Sequence, residues 1–397
     1  MTKKIIPSCM SFLIVFLVAS TSPALEFHGA ASNSVYSLED TTTHTRLFQY
    51  LRFSVDAPWV NKLKLNISLR ALTDMNESLD SEDRFKAYTL NLTYSNLFNR
   101  MNIVLGRQFL HPGTILGGLD GLYADYAFSS NMKIAAYTGT EAHFMRSLKI
   151  YELEDSFVAG GFVELKHVYK SRFQALYLQK ANKDDIFWQI TGLNIENALV
   201  PKTNLQLQAH YDLQNSRLHR LLITARHQLS QKLAFSVGMK NQYPQVYANS
   251  FFTIFDIDAY KQYNAACSYN ILNDYFVQGQ FQYIQFDDEN ATRTYVTLNN
   301  ANGSIGVLYE SGYAGEQLSA VLDYAYSVTP TLLASISLDY SKYKTETIYE
   351  FESQIANAAR LSYRFMQNWS VDVEYQWLTN RFKESDSRFL NHIRYRW

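Results

Sequence analysis

Cysteine is nearly absent: the 397 residues hold two, Cys9 and Cys267. Cys9 falls in an apolar leader, so the remainder of the chain carries one thiol and cannot close a disulfide on itself. Pro (7) and Gly (16) are scarce too, which excludes a low-complexity or collagen-like chain and leaves no Pro/Gly/Ser-rich boundary to divide it into domains. No apolar run reaches the roughly 20 residues that a membrane-spanning helix needs. Charge leans neither way, since 36 Lys plus Arg stand against 37 Asp plus Glu. That balance leaves no footprint for nucleic acid. What is abundant is aromatic, with 29 Tyr and 25 Phe, a bias toward strands and toward boundaries between apolar and polar media.

The apolar residues alternate. Residues 62–71 place Leu63, Leu65, Ile67, Leu69 and Ala71 on one face, and Lys62, Lys64, Asn66, Ser68 and Arg70 on the other. A period of two is a strand and cannot be an amphipathic helix. The pattern recurs at 204–212, at 275–283 with Gln278, Gln280 and Gln282 on its polar face, and at 332–340 with Asp339 on its polar face. It recurs again at 369–377, where Asp372 and Glu374 oppose Val371, Val373 and Tyr375, and at 387–397. Glutamines and carboxylates in this register are costly against a dry core and at home against water. Strands that are apolar on one side and polar on the other, repeated without a linker, predict an all-β transmembrane antiparallel up-and-down β-barrel, polar in its lumen and apolar toward lipid. Such a barrel has no sheet edge, and its only core is expected to be its wall.

Residues 1–24 read as a secretory signal peptide: Lys3 and Lys4, an apolar stretch, then small residues before a cut after Ala24. Residues 25–397 form the single barrel domain. The first strand is expected almost at the cut, near Phe27, which leaves no room for a plug domain ahead of it. Short turns legible near 95–100, 129–132, 169–172, 229–232, 270–274, 328–331 and 365–369 interleave with longer polar links. Reading 293–310 as a hairpin turning at 300–302 preserves this alternation and gives about 22 strands, with 18–20 as the alternative. About 22 strands make a cylinder on the order of 40 Å across. The final strand carries Ile393, Tyr395 and Trp397 on its apolar side, which resembles the signal read by the bacterial barrel-assembly machinery.

Val-Leu-Gly-Arg-Gln-Phe-Leu from Val104, followed by Gly-Gly-Leu-Asp-Gly-Leu-Tyr-Ala-Asp-Tyr from Gly117, resembles a strand-loop-strand of porin-like barrels related to the alginate-export and outer-membrane porin families. The stretch from Phe251 to Trp397 is similar in layout to uncharacterised large porins. The resemblance implies a passive pore or exporter in the Gram-negative outer membrane, embedded in lipid and lipopolysaccharide, without cofactor. The basic lining with which alginate exporters meet a polyanion is not evident in the pattern.

Candidate pore-lining residues are Lys62, Lys64, Arg70, Gln278, Gln280, Gln282, Asp339, Asp372, Glu374, Arg394 and Arg396. Asp372 and Glu374 beside Arg394 and Arg396 on the next strand are read as a salt-bridge ladder or a transverse field. Arg107 and Asp120 flank a link at 110–119 and are read as a constriction or a brace. Strict alternation from Leu105 turns Arg107 toward lipid. Gly117, Gly118 and Gly121 predict a tight bend. Tyr247, Phe251 and Phe252, in an aromatic link at 241–258, are candidates to narrow the lumen or stack sugar rings. His210, His219 and His227 match no metal-ligand spacing, and no Ser-His-carboxylate set points to an enzyme. The function expected is passive diffusion of small hydrophilic solutes, the alternatives being an adhesion or structural barrel with an occluded lumen, or a polysaccharide exporter.

Overall fold

A computed structural model describes residues 26–397 apart from 40–42, 58–61, 80–83, 111–116, 144–145, 244–258, 273, 314, 346–349 and 382. In chain order the strands are β1 (Glu26–Glu39), β2 (Thr43–Ala57), β3 (Leu63–Asp74), β4 (Phe85–Leu97), β5 (Met101–Leu110), β6 (Gly117–Ala127), β7 (Met132–Glu141) and β8 (Phe157–Val168). There follow β9 (Ser171–Ala181), β10 (Ile186–Asn197), β11 (Thr203–Asp212), β12 (Arg217–Gln228), β13 (Leu233–Gln242), β14 (Tyr260–Leu272) and β15 (Tyr275–Gln285). The last are β16 (Asn290–Asn300), β17 (Gly303–Gly312), β18 (Gly315–Thr329), β19 (Leu332–Lys344), β20 (Glu352–Met366), β21 (Trp369–Asn380) and β22 (Lys383–Arg396). Each pairs antiparallel with its neighbours in sequence, and β1 pairs with β22, so the 22-stranded sheet closes on itself. The hairpin expected between 293 and 310 is β16–β17, turning at 301–302.

Scarce glycine does not prevent tight turns at the short-turn end. Tyr169 and Lys170 both take positive φ, 50° and 53°, between β8 and β9, the geometry of a two-residue hairpin usually given to Asn-Gly. Phe98 and Asn99, at 49° and 64°, also take positive φ, in the three-residue turn 98–100 between β4 and β5.

One face of the alternation is exposed and apolar around the ring: Leu92, Leu105, Leu122, Val237, Phe281, Val307 and Leu318 are all more than 40% exposed. So broad an apolar surface is untenable in water and fits a lipid belt. At the short-turn end an aromatic row runs through Phe365, Trp369, Tyr395 and Trp397, successive rings 6.1, 4.7 and 5.8 Å apart. This is the interfacial girdle that the tyrosine excess anticipates. Leu65 lies on the outward face, opposite Val55 and Leu92. Leu65→Arg should cost about 2–4 kcal/mol at mid-bilayer, whereas Gln278→Arg, on the inward face, should be tolerated. Asn66 is a poorer inward control because its amide bonds Asn91 and Thr93. Unfolding in lipid vesicles checks the pair, and equal costs would overturn the register.

The wall is not the only core. On the inward face Leu119, Tyr137, Val158 and Leu178 form one buried cluster and Ala135, Phe162 and Leu176 another. Here glycines meet across strands: Gly106 stands opposite both Asn91 and Gly121, and Gly121 opposite Gly139. A Cβ on Gly106, whose φ is +111°, would lie 2.4 Å from the Leu90 carbonyl oxygen, and one on Gly121 would lie 2.2 Å from that of Thr138. Only glycine allows strands to approach so closely. The apolar side chains pack beside these glycines on the inward face, and single-strand alternation gives no sign of it.

Candidate functional site

The lumen wall is built from the inward half of every strand, and its chemistry is followed along rows of facing residues. Most inward charges are neutralised by a neighbour. Glu164, 2% exposed, takes the Arg172 guanidinium at 2.5 Å and Lys166 at 3.1 Å. Asp74 takes Arg46 at 3.1 Å and His44 at 3.2 Å. Lys180 pairs with Glu141 and lies over the Trp188 ring. Arg293 meets Glu310 at 2.7 Å, and Arg360 meets Asp372 at 3.0 Å. Neutral pairs of this kind stiffen a wall and add little field.

His44, Asp74 and Glu77 approach one another closely enough to suggest a cation site. Asp74, however, spends one oxygen on Arg46 and His44 and the other on the Asn76 amide. The geometry is that of a satisfied brace at the long-loop end of β2 and β3.

The predicted residues fall as follows. Lys64 points inward and pairs with Asp56 at 3.4 Å. Lys62 precedes β3 and ties the adjacent turn instead, donating to the Asn96 carbonyl at 2.9 Å. Arg70 points inward and covers the Phe48 ring. Gln278, Gln280 and Gln282 share the inward face of β15, opposite Thr297, Tyr295 and Arg293. Asp339 accepts from Ser341 at 2.8 Å, and Glu374 from Gln376 at 2.5 Å. The ladder expected between β21 and β22 does not form: Asp372 faces His392, and Glu374 faces Leu390. The acid partner of Arg360 is thus on β21, while Arg394 contacts His392 at 3.2 Å. Tyr247, Phe251 and Phe252 lie outside the described residues.

Arg107 and Asp120 do pair, at 2.6 Å, with side chains 6% and 5% exposed. They do not line the lumen. Their register places them on the face of Leu105 and Leu122, the outward one, as alternation predicts. They avoid lipid because 146–149 lies against them: Arg107 also donates to the carbonyls of Ala87, Ser147 and Lys149. Pairing of β4 with β5 stops at Leu90 and Arg107, although both strands continue. The loop strand fills the opening, where the Ala87 amide bonds the Arg146 carbonyl at 2.7 Å.

What the sequence pattern conceals is a cluster of cations. Arg394, Ser32, Tyr50, Arg70 and Lys86 follow one row across β22, β1, β2, β3 and β4. Arg396, Ala30 and Arg52 begin the next. Among the described residues Arg52, Lys86, Arg394 and Arg396 make no ion pair. Half a turn round the ring, Arg220, Arg226 and Lys240 stand inward on β12 and β13, again without an ion pair among the described residues. The basic lining is therefore present, though individually the strands are mixed and the cations meet only through register. Asp323, Asp339 and Glu374 stand inward on β18, β19 and β21, in separate register rows and likewise without an ion pair among the described residues.

No family model matches the sequence, and no curated protein is similar to it. Among solved structures, the fold is similar to the siderophore receptor PirA from Pseudomonas aeruginosa, with a TM-score of 0.60 at 12% identity over 95% of this chain and 81% of that one. It is similar to the translocation pore of the P pilus usher PapC, with a TM-score of 0.52 at 8% identity over 94% and 99%. OpdL of Pseudomonas aeruginosa superposes with a TM-score of 0.46 at 9% identity over 94% and 98%. At these identities the likeness to the receptor and to the usher pore is one of fold.

Proposed function

We propose that the chain is an outer-membrane channel through which small hydrophilic solutes diffuse down their gradients, with anions favoured over cations. The observation that carries this reading is the polar inward face of a closed ring, on which two opposed arcs hold cations, among them Arg52, Lys86, Arg394 and Arg396 on one and Arg220, Arg226 and Lys240 on the other, that make no ion pair among the described residues. Charges in a confined lumen with a low-dielectric wall focus field lines, so an unpaired arginine there attracts anions more than the same group on an open surface. The likeness in fold to a siderophore receptor and to a usher translocation pore supports a barrel that spans a membrane.

A polymer exporter would be served by a basic track from one end to the other. Here Arg394, Arg70 and Lys86 occupy a single register row, with Arg396 and Arg52 in the next. A band of charge acts as an ion filter, and it favours diffusion over polymer guidance. Single-channel recording of the refolded barrel in a planar bilayer should show stable steps, with a reversal potential in a KCl gradient on the chloride side. Arg52→Glu with Arg394→Glu should move it toward potassium. A cation-selective unaltered channel would overturn the charge assignment, and silence from a folded barrel would overturn the channel itself.

A further inference from the structure

A concavity of about 370 Å³ lies away from the basic band, on the inward face of β15 to β19. Its size falls within the roughly 300–1,000 Å³ of small-molecule sites. Gln280, Gln282, Arg293, Tyr295, Gln317 and Asp339 supply its polar lining. A second cavity of about 320 Å³ continues from it toward the long-loop end, and Gln317 belongs to both.

The polar groups divide into two sets. One is already committed and rigid: Gln317 donates to Ser319 at 2.7 Å, Ser319 and Ser341 share a bond of 2.8 Å, and Ser341 donates to Asp339 at 2.8 Å. Ser319 and Ser341 are 2% and 5% exposed, so this chain fixes the floor. Arg293 is likewise held by Glu310 at 2.7 Å. The other set is uncommitted: the side-chain amides of Gln280 and Gln282 and the Tyr295 hydroxyl have no hydrogen-bond partner among the described residues. Each amide offers both a donor and an acceptor, and the hydroxyl offers either.

We propose that this concavity is a transient binding subsite for neutral polyhydroxylated solutes, of the size of one or two sugar rings. Adjacent hydroxyls each need a donor and an acceptor, which paired amides on one strand supply, while the Tyr295 ring offers an apolar face to the carbons between them. Anions are disfavoured here because Arg293 is neutralised by Glu310 and the remaining formal charge is the Asp339 carboxylate. Binding must be weak, since a channel site that holds its solute tightly stops conducting. The subsite rests on the channel reading for its purpose but not for its detection.

The test is saturation-transfer NMR on the full barrel in lipid nanodiscs, with glucose, sucrose and gluconate as separate probes. Glucose and sucrose should show saturation transfer and gluconate should not. Gln280→Ala with Gln282→Ala, and separately Tyr295→Ala, should weaken sucrose binding roughly tenfold or more, the loss expected when two hydrogen bonds go. Gln206→Ala, an inward glutamine on β11, should leave it unchanged. Absence of sugar binding, equal transfer to gluconate, or unaltered binding in both variants would overturn the subsite. Sugar binding by a barrel that carries no current would uphold the subsite and sink the channel reading, and current without sugar binding would do the reverse.

Discussion

Deleting Trp397 should remove most of the folded barrel from the membrane while leaving the conductance of any surviving molecules little changed. The reason lies in closure. The ring is sealed by β1 against β22 alone, and at its short-turn end the Trp397 amide donates to the Gly29 carbonyl at 3.1 Å while the Gly29 amide donates back at 3.3 Å. Gly29 is small where it must be: a Cβ there would lie 2.6 Å from the Trp397 ring. Trp397 also ends the aromatic row through Tyr395 and Trp369. Its loss strips the last reciprocal pair from the seam and an anchor from the interface. If Ile393, Tyr395 and Trp397 also act as the assembly signal, the loss precedes folding. Immunoblots of outer-membrane fractions, with heat-modifiable mobility as the sign of folding, check this. Normal amounts of folded deletion protein would refute the role given to the residue.

Strands, their faces and their number were legible because lipid outside and water inside impose a period of two on every crossing. The hairpin at β16–β17 followed from parity alone. Three features were not legible, and each depends on register across strands that a single strand cannot report. Asp372 and Arg394 look adjacent when β21 and β22 are written side by side, yet the pairing slides Asp372 to His392 and gives it Arg360 from the other neighbour. Arg52, Arg70, Lys86 and Arg394 come from four separate strands and become a band only when the rows are joined. The apolar cluster around Leu178 joins side chains of four strands, beside the facing glycines Gly106, Gly121 and Gly139. Gly121 drew notice as a bend, but its partners in β5 and β7 gave it meaning.

Asp120→Ala should destabilise the barrel by about 3–5 kcal/mol, the cost of leaving a buried cation without its partner. The carboxylate holds Arg107 with two bonds, 2.7 Å to Nε and 2.6 Å to Nη2, and both side chains are nearly inaccessible. On an exposed surface the same pair would be worth less than about 1 kcal/mol, so the size of the loss reports whether 146–149 excludes solvent there. Replacing both partners, Arg107→Met with Asp120→Leu, removes the stranded charge and should recover most of the stability. It should not restore the loop, because the bonds from Arg107 to the Ser147 and Lys149 carbonyls go with the guanidinium. The double variant should therefore unfold near the unaltered midpoint in guanidinium but be cut faster by protease within 142–156. A single-variant loss below about 0.5 kcal/mol would mean an exposed pair. A double variant as unstable as Asp120→Ala would mean that the guanidinium's bonds to the loop, more than relief of its buried charge, hold β4 and β5 together where their pairing ends.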